Sequence, residues 1–114
     1  MASNAKQTLM DNETLSATTV GSSFNLIGRS DLHVGFIKAA NVNAATTVSG
    51  VIQHSPNGID WFTLATFAAI AGAAGSEVVN ITAGVLPNVR ANVTLAGATQ
   101  AADVTVDIYF RERS

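Results

Sequence analysis

The chain has 114 residues, a formal charge of −2 and no cysteine. That length bounds it to one domain with a single core, and the missing thiols exclude disulfides and thiolate metal sites. Six Lys and Arg scattered along the whole length form no basic stripe, so nucleic acid is not an expected partner.

Charged residues make up only 12%, where soluble domains average about 25%. Either Ala, Thr, Ser, Asn and Gly supply a neutral, weakly polar surface, or much of the surface is covered in an assembly; the composition favours the assembly. The N-terminal stretch MASNAKQTLMDNETL has no apolar core segment of the kind a secretory signal needs. The least charged apolar run, Leu64 to Gly75, is broken by glycines and too short to span a bilayer. No membrane contact is expected, and synthesis and folding in a cytoplasm are.

In chain order, residues 1–13 are polar apart from Leu9 and Met10, and read as an extended N-terminal arm, a first edge strand or a frayed terminus. The β-branched run from Thr14 to Val20 suits a strand. Gly21-Ser22-Ser23 interrupts it, Phe24 to Ile27 resumes it, and Gly28-Arg29-Ser30-Asp31 is turn-like. From Leu32 to Ala39 the chain alternates, with Leu32, Val34 and Phe36 on one side and His33, Gly35 and Ile37 on the other.

The stretch Val48 to Phe67 carries the strongest local signal. Two β-rich runs meet at Ser55-Pro56-Asn57-Gly58, where proline pre-sets φ and glycine accepts a positive one, so a hairpin is predicted. Val48, Gly50 and Ile52 share a face. In the second strand Trp61, Thr63, Ala65 and Phe67 alternate against Phe62 and Leu64, which requires two covered faces or a bulge. Trp61, the only tryptophan, is expected to plug the core behind the turn. Ala68 to Gly75 reads as a flexible loop, and Glu77 to Thr82 as a strand.

After turns at Ala83-Gly84 and Pro87-Asn88, Val89, Ala91, Val93 and Leu95 point inward, against Arg90, Asn92 and Thr94. In the last strand Val104, Val106, Ile108 and Phe110 oppose Thr105, Asp107, Tyr109 and Arg111, which puts one face on the core and the other toward water or a partner. The pattern predicts an all-β fold: an antiparallel β-sandwich, jelly-roll or Ig-like, of about seven or eight strands. Residues 1–13 form its arm and 14–114 its single domain.

No catalytic constellation emerges, so no enzyme activity is expected. His33 and His54 lack further ligands at metal spacing and read as structural, with Asp31–His33 and Asp60–His54 as conceivable carboxylate–imidazole pairs. Asp103, Asp107 and Glu112 read as solvated charges rather than a glycosidase pair. The Ser55 turn joins two strands and has no helix or lysine after it, so it is not a phosphate loop. The Asn-x-Thr triplets at Asn12, Asn80 and Asn92 are ascribed to chance in an Asn- and Thr-rich chain. No metal and no cofactor are expected.

The segments IQHSPNGIDWFTLATF, SEVVNITAG and PNVRANVTLAG resemble small structural β-sandwich proteins of tailed bacteriophages. Ser55, Pro56, Asn57, Gly58 and Trp61 match their S-P-[ND]-G-x-x-W hairpin, and Val89, Arg90, Val93 and Thr94 their V-R-x-x-V-T strand. Sugar-binding sandwiches of the discoidin kind use similar hairpins. The resemblance implies a head decoration (cement) protein on the outer capsid surface, a homo-oligomer, commonly a trimer, that binds the major capsid protein and bridges capsomers. It locates the protein in the virion, on the head surface. Candidate partner contacts are Leu9 and Met10 in the arm, and Arg90, Tyr109 and Arg111 on outward faces. The alternatives are a carbohydrate-binding or host-recognition module of a phage tail, and a tail or baseplate subunit.

Overall fold

A computed structural model describes residues 3–26, 30–82 and 84–112. Their strands are β1 (Ser3–Leu15), β2 (Thr19–Val20), β3 (Phe24–Asn25), β4 (Ser30–Ala40) and β5 (Thr47–Ser55). There follow β6 (Phe62–Thr66), β7 (Ile70–Ala71), β8 (Gly75–Asn80), β9 (Asn88–Ala96) and β10 (Ala102–Glu112). Every pairing is antiparallel.

One sheet runs β1-β10-β4-β8 and the other β2-β9-β5-β6, with β3 also on β9 and β7 also on β5. The short strands pair off along the two edges of the second sheet. If β2 with β3 and β6 with β7 count as two interrupted strands, eight remain, four to a sheet. The chain crosses between the sheets except at the β5–β6 hairpin, which is the double Greek-key order of a jelly roll. The fold is a jelly roll, not an Ig-like sandwich.

Alternation explains most of these elements. Val89, Ala91, Val93 and Leu95 are all buried, as are Val104, Val106 and Ile108, because each strand turns every second side chain to the core. The β5–β6 register shifts between Ile52 and Gln53, so the parity conflict around Leu64 is resolved by a bulge.

The two sheets interlock through glycine. A methyl group at Gly35 would lie 2.9 Å from Ile52 Cδ1, and one at Gly50 would lie 2.6 Å from Ile37 Cδ1. Isoleucine from each sheet therefore fills the gap left by a glycine of the other. This packing also places the start of β4 over the end of β5, so Leu32 and the turn after Ser55 share one end of the sandwich.

Several sequence expectations are corrected. Residues 3–13 are not a free arm but the first edge strand that was the alternative: β1 pairs with β10 from Ser3 to Leu15 and forms the edge of the first sheet. The run Thr14 to Val20 is split, its first part ending β1 and its last two residues crossing to the other sheet as β2. The stretch Ala68 to Gly75 is no loop throughout, because β7 pairs with β5 and buries Ile70. The resumption at Phe24 pairs with β9 as β3. The proposed continuation to Ile27, the turn residues Gly28 and Arg29, and Ala83 lie outside the described residues.

Candidate functional site

The hairpin tip is built by side chains bonding to the local backbone. Ser55 Oγ accepts the Asn57 and Gly58 amides at 3.2 and 2.8 Å. Asn57 Oδ1 accepts the Ile59 and Asp60 amides, both at 2.9 Å, and Asn57 Nδ2 donates to Asp60 Oδ2 at 2.8 Å. Gly58 adopts φ 76°, in the left-handed region where glycine carries no Cβ penalty. The result is an ordered projection with Ile59 at its end, 79% exposed, and Phe62 exposed at its base.

Trp61 is not the core plug the sequence suggested. It is half-buried and lies outside the core cluster, and the Arg90 guanidinium stacks 4.1 Å from its ring centroid. Arg90 Nε donates to Gln53 Oε1 at 2.7 Å. The outer face of the second sheet therefore carries a fixed Gln53–Arg90–Trp61 stack. It is otherwise polar along β9, where Asn92 and Thr94 continue it.

The outer face of the first sheet is different. Register places Tyr109 opposite Val34 and Lys6, Asp107 opposite Phe36 and Thr8, and Phe36 opposite Val78. Val34 and Phe36 are half-buried, and Val78 and Tyr109 are exposed. Phe36 meets Tyr109 edge-on at 6.4 Å, and Lys6 Nζ lies 5.9 Å from the Tyr109 ring. Asp107 sits within this face at 4% exposure, and its Oδ1 has no hydrogen-bond partner among the described residues; it is not the solvated charge expected. Buried polar atoms are paired in the great majority of cases, so this oxygen is an exception.

At the end shared with the hairpin turn, the register of β10 against β4 shifts between Tyr109 and Arg111. There Leu32 is 65% exposed with φ 53°, a conformation unfavourable for a bulky side chain. A cavity of about 270 Å³ opens beside it, lined by Ala5, Leu32, Val34, Tyr109, Phe110 and Arg111.

The five residues singled out from the sequence do not converge. Tyr109 and Arg111 line this cavity, and Arg90 lies on the opposite sheet in its stack. Leu9 and Met10 are core residues at 3% and 2% exposure, so neither reaches a partner while β1 stays paired. The sequence reading passed over Leu32, Val34, Phe36, Val78 and Ile59. A signal for the first three was present: the run Leu32 to Ala39 is apolar on both parities, which marks a strand with two covered faces.

Asp103 Oδ1 accepts from Thr14 Oγ1 and Oδ2 from Asn41 Nδ2, both at 2.7 Å. These bonds, Asn41 first, hold its carboxyl below the ordinary range and tie three elements together at the surface. His54 does not pair with Asp60: its Nδ1 accepts the Leu86 amide at 3.1 Å. The side chain of Asp31 lies outside those described, so the proposed Asp31–His33 pair does too. Among the described residues, no three His, Asp or Glu side chains gather as metal ligands, and no helix is long and apolar enough to cross a membrane.

No protein-family model matches the chain, and no curated protein matches it in sequence. Solved structures match its fold. A chain of the infectious bursal disease virus Gx strain superposes with a TM-score of 0.67 at 12% identity, covering 98% of this chain and 32% of that one. The SPBc2 prophage-derived protein YomS gives 0.56 at 11% identity, covering 98% and 96%. The carbohydrate-binding module CBM36, solved in complex with calcium and xylotriose, gives 0.50 at 16%, covering 93% and 98%. This chain thus spans about a third of the length of the bursal virus chains it matches. At these identities the likeness is one of fold.

Proposed function

We propose that the protein is a non-enzymatic structural component of a virion, most specifically a head decoration protein of a tailed bacteriophage. In this reading it binds the outer capsid surface as a homo-oligomer, a trimer by its resemblance, and bridges neighbouring capsomers of the major capsid protein. The observation that carries the reading is the outer face of the first sheet, where Leu32, Val34, Phe36, Val78 and Tyr109 present apolar surface that an isolated domain gains nothing by displaying. The jelly-roll fold supports it, since matching chains come from the VP2 subviral particle of infectious bursal disease virus and from a prophage-derived protein. Binding to the assembled shell alone stabilises it by linkage, with no chemistry required.

The experiment is to add purified protein to purified phage heads that lack it and to image them by cryo-microscopy. Regular density over the capsomer seams is expected, with greater resistance to heat. Absence of binding at micromolar concentrations removes the reading.

A second reading, glycan binding in a tail or host-recognition protein, is favoured by one observation: the half-exposed Trp61 lies close in sequence to Asn57 and Asp60, in a fold shared over nearly its full length with CBM36. Against it, Arg90 covers one side of the Trp61 ring. A glycan array that gives Trp61-dependent binding, with no binding to heads, selects it.

A further inference from the structure

We infer that the hairpin tip of one copy of this chain docks into the Leu32 cavity of the next, a head-to-tail contact that closes copies into a ring. Two surface features have no partner among the described residues. One is a projection, Ile59, held rigid by Asn57 and 79% exposed. The other is a recess of about 270 Å³ walled by Ala5, Leu32, Val34, Tyr109 and Phe110, large enough for an isoleucine side chain. A knob on one surface and a hole on another make a heterologous interface, and such interfaces generate rings when the rotation closes.

Charge complements shape. The knob carries the exposed carboxylate of Asp60 beside Ile59, and the mouth of the recess carries Lys6 over Tyr109 together with Arg111. Opposite charges at the rim set orientation and suppress the reversed pairing. The apolar strip of Val34, Phe36 and Val78 continues from the recess across the first sheet, so the contact is not confined to the knob. It also passes over Asp107, whose buried Oδ1 has no donor among the described residues.

Position favours a small closed ring over a filament. Packing of Gly35 on Ile52 and of Ile37 against Gly50 places knob and recess at the same end of the sandwich, on different sheets. Successive copies then turn about an axis near that end. Leu32 stands in the wall of the recess, and its left-handed φ of 53° is strain of the kind that collects at binding sites.

This inference rests on the assembly part of the proposed function and not on capsid binding. The test is sedimentation of the purified full chain from 1 to 100 μM, with Ile59→Asp and Leu32→Asn variants. Both positions are exposed, and asparagine tolerates the left-handed backbone better than leucine, so the unfolding midpoints should not fall. Wild type is expected to form a discrete ring. Each variant alone should associate at least tenfold more weakly, about 1.4 kcal/mol.

Mixing the two variants is the decisive arm. The Ile59→Asp copy keeps an intact recess and the Leu32→Asn copy an intact knob, so a one-to-one heterodimer should appear that neither forms alone. A monomeric wild type, an oligomer indifferent to both substitutions, or no heterodimer on mixing overturns the contact. A monomer that still decorates heads sinks this contact and leaves the virion reading standing.

Discussion

Burial holds the His54 imidazole below its ordinary pKa, and its Nδ1 accepts a hydrogen bond from the Leu86 N–H, which only an unprotonated nitrogen can do. The folded state therefore takes up a proton on this imidazole less readily than the unfolded chain. Its contribution to stability is complete above the unfolded value near ~6.5 and is lost as pH falls from there toward the lowered folded value. Urea midpoints measured from pH 7.5 to 5 are expected to decline, and His54→Gln should flatten that decline. Asp103 acts in the same direction at lower pH: its depressed carboxyl stabilises above the ordinary carboxylate value and loses that contribution as pH falls through the folded one. Arg90 is held by geometry as much as by charge, through the Trp61 ring and Gln53. Lysine reproduces neither the planar stack nor the fixed Nε donor, so Arg90→Lys should cost about 1 kcal/mol in chemical denaturation. Trp61→Ala should cost clearly less than the ~3–5 kcal/mol of a core tryptophan. The turn that precedes Trp61 was legible because Pro56 and Gly58 have local meaning. The fate of the indole was not, because its partner Arg90 is far away in sequence and tryptophan suits a core or a cation stack equally.

Among the elements, β9 was legible residue by residue because it has one buried face and pairs with β5 without a register shift, whereas β10 was legible at Val104, Val106 and Ile108 but not at Asp107 or beyond its shift at Tyr109. Strand β1 was obscured by its own irregularity. Its pairing with β10 shifts between Thr8 and Met10 and again before Glu13, and Asn12 adopts φ 45°. The shift lets the consecutive residues Leu9 and Met10 both enter the core, which strict alternation forbids. Strand β7 escaped notice for a different reason: two residues between alanines and glycines carry no period at all. The interlock of β4 with β5 offers a direct energetic test. Gly50→Ala should destabilise by about 1–3 kcal/mol through overpacking. Ile37→Val removes the methyl group that the new Cβ would strike, and alone costs about 0.5–1.5 kcal/mol. The double variant is expected to be more stable than the sum of the two losses, the signature of contacting residues. Strict additivity in urea denaturation would show that the two strands do not interlock as described.

At the scale of the molecule, the alternation and turn spacing pointed correctly to an all-β sandwich, while the choice of jelly roll over Ig-like order waited on the pairing of β1 with β10. No local pattern encodes that pairing, since it joins the two ends of the described chain. It changes what truncation should do. A detachable arm could be removed with little effect, but residues 1–15 supply Leu9, Met10 and Leu15 to the core. Losing large buried side chains costs about 2–5 kcal/mol each, against a total stability of about 5–15 kcal/mol for a domain. A chain lacking residues 1–15 is therefore expected to lose its cooperative thermal transition in circular dichroism. A truncated protein that melts near the wild-type temperature would contradict the placement of β1. The candidate surface was the least legible feature of all. Ile59 and Leu32 are ordinary residues in sequence, and only the fold brings knob and recess to the same end.

The position of β10 also governs how the protein is made. It is an inner strand of the first sheet, between β1 and β4, yet it leaves the ribosome after the other nine strands. Until it emerges, β1 and β4 have no common partner, and the first sheet is incomplete. An unpaired strand edge of this kind is prone to aggregation or to capture by chaperones. Closure of the first sheet is expected to wait for β10, and ribosome profiling of chaperone occupancy should find it falling once β10 has emerged.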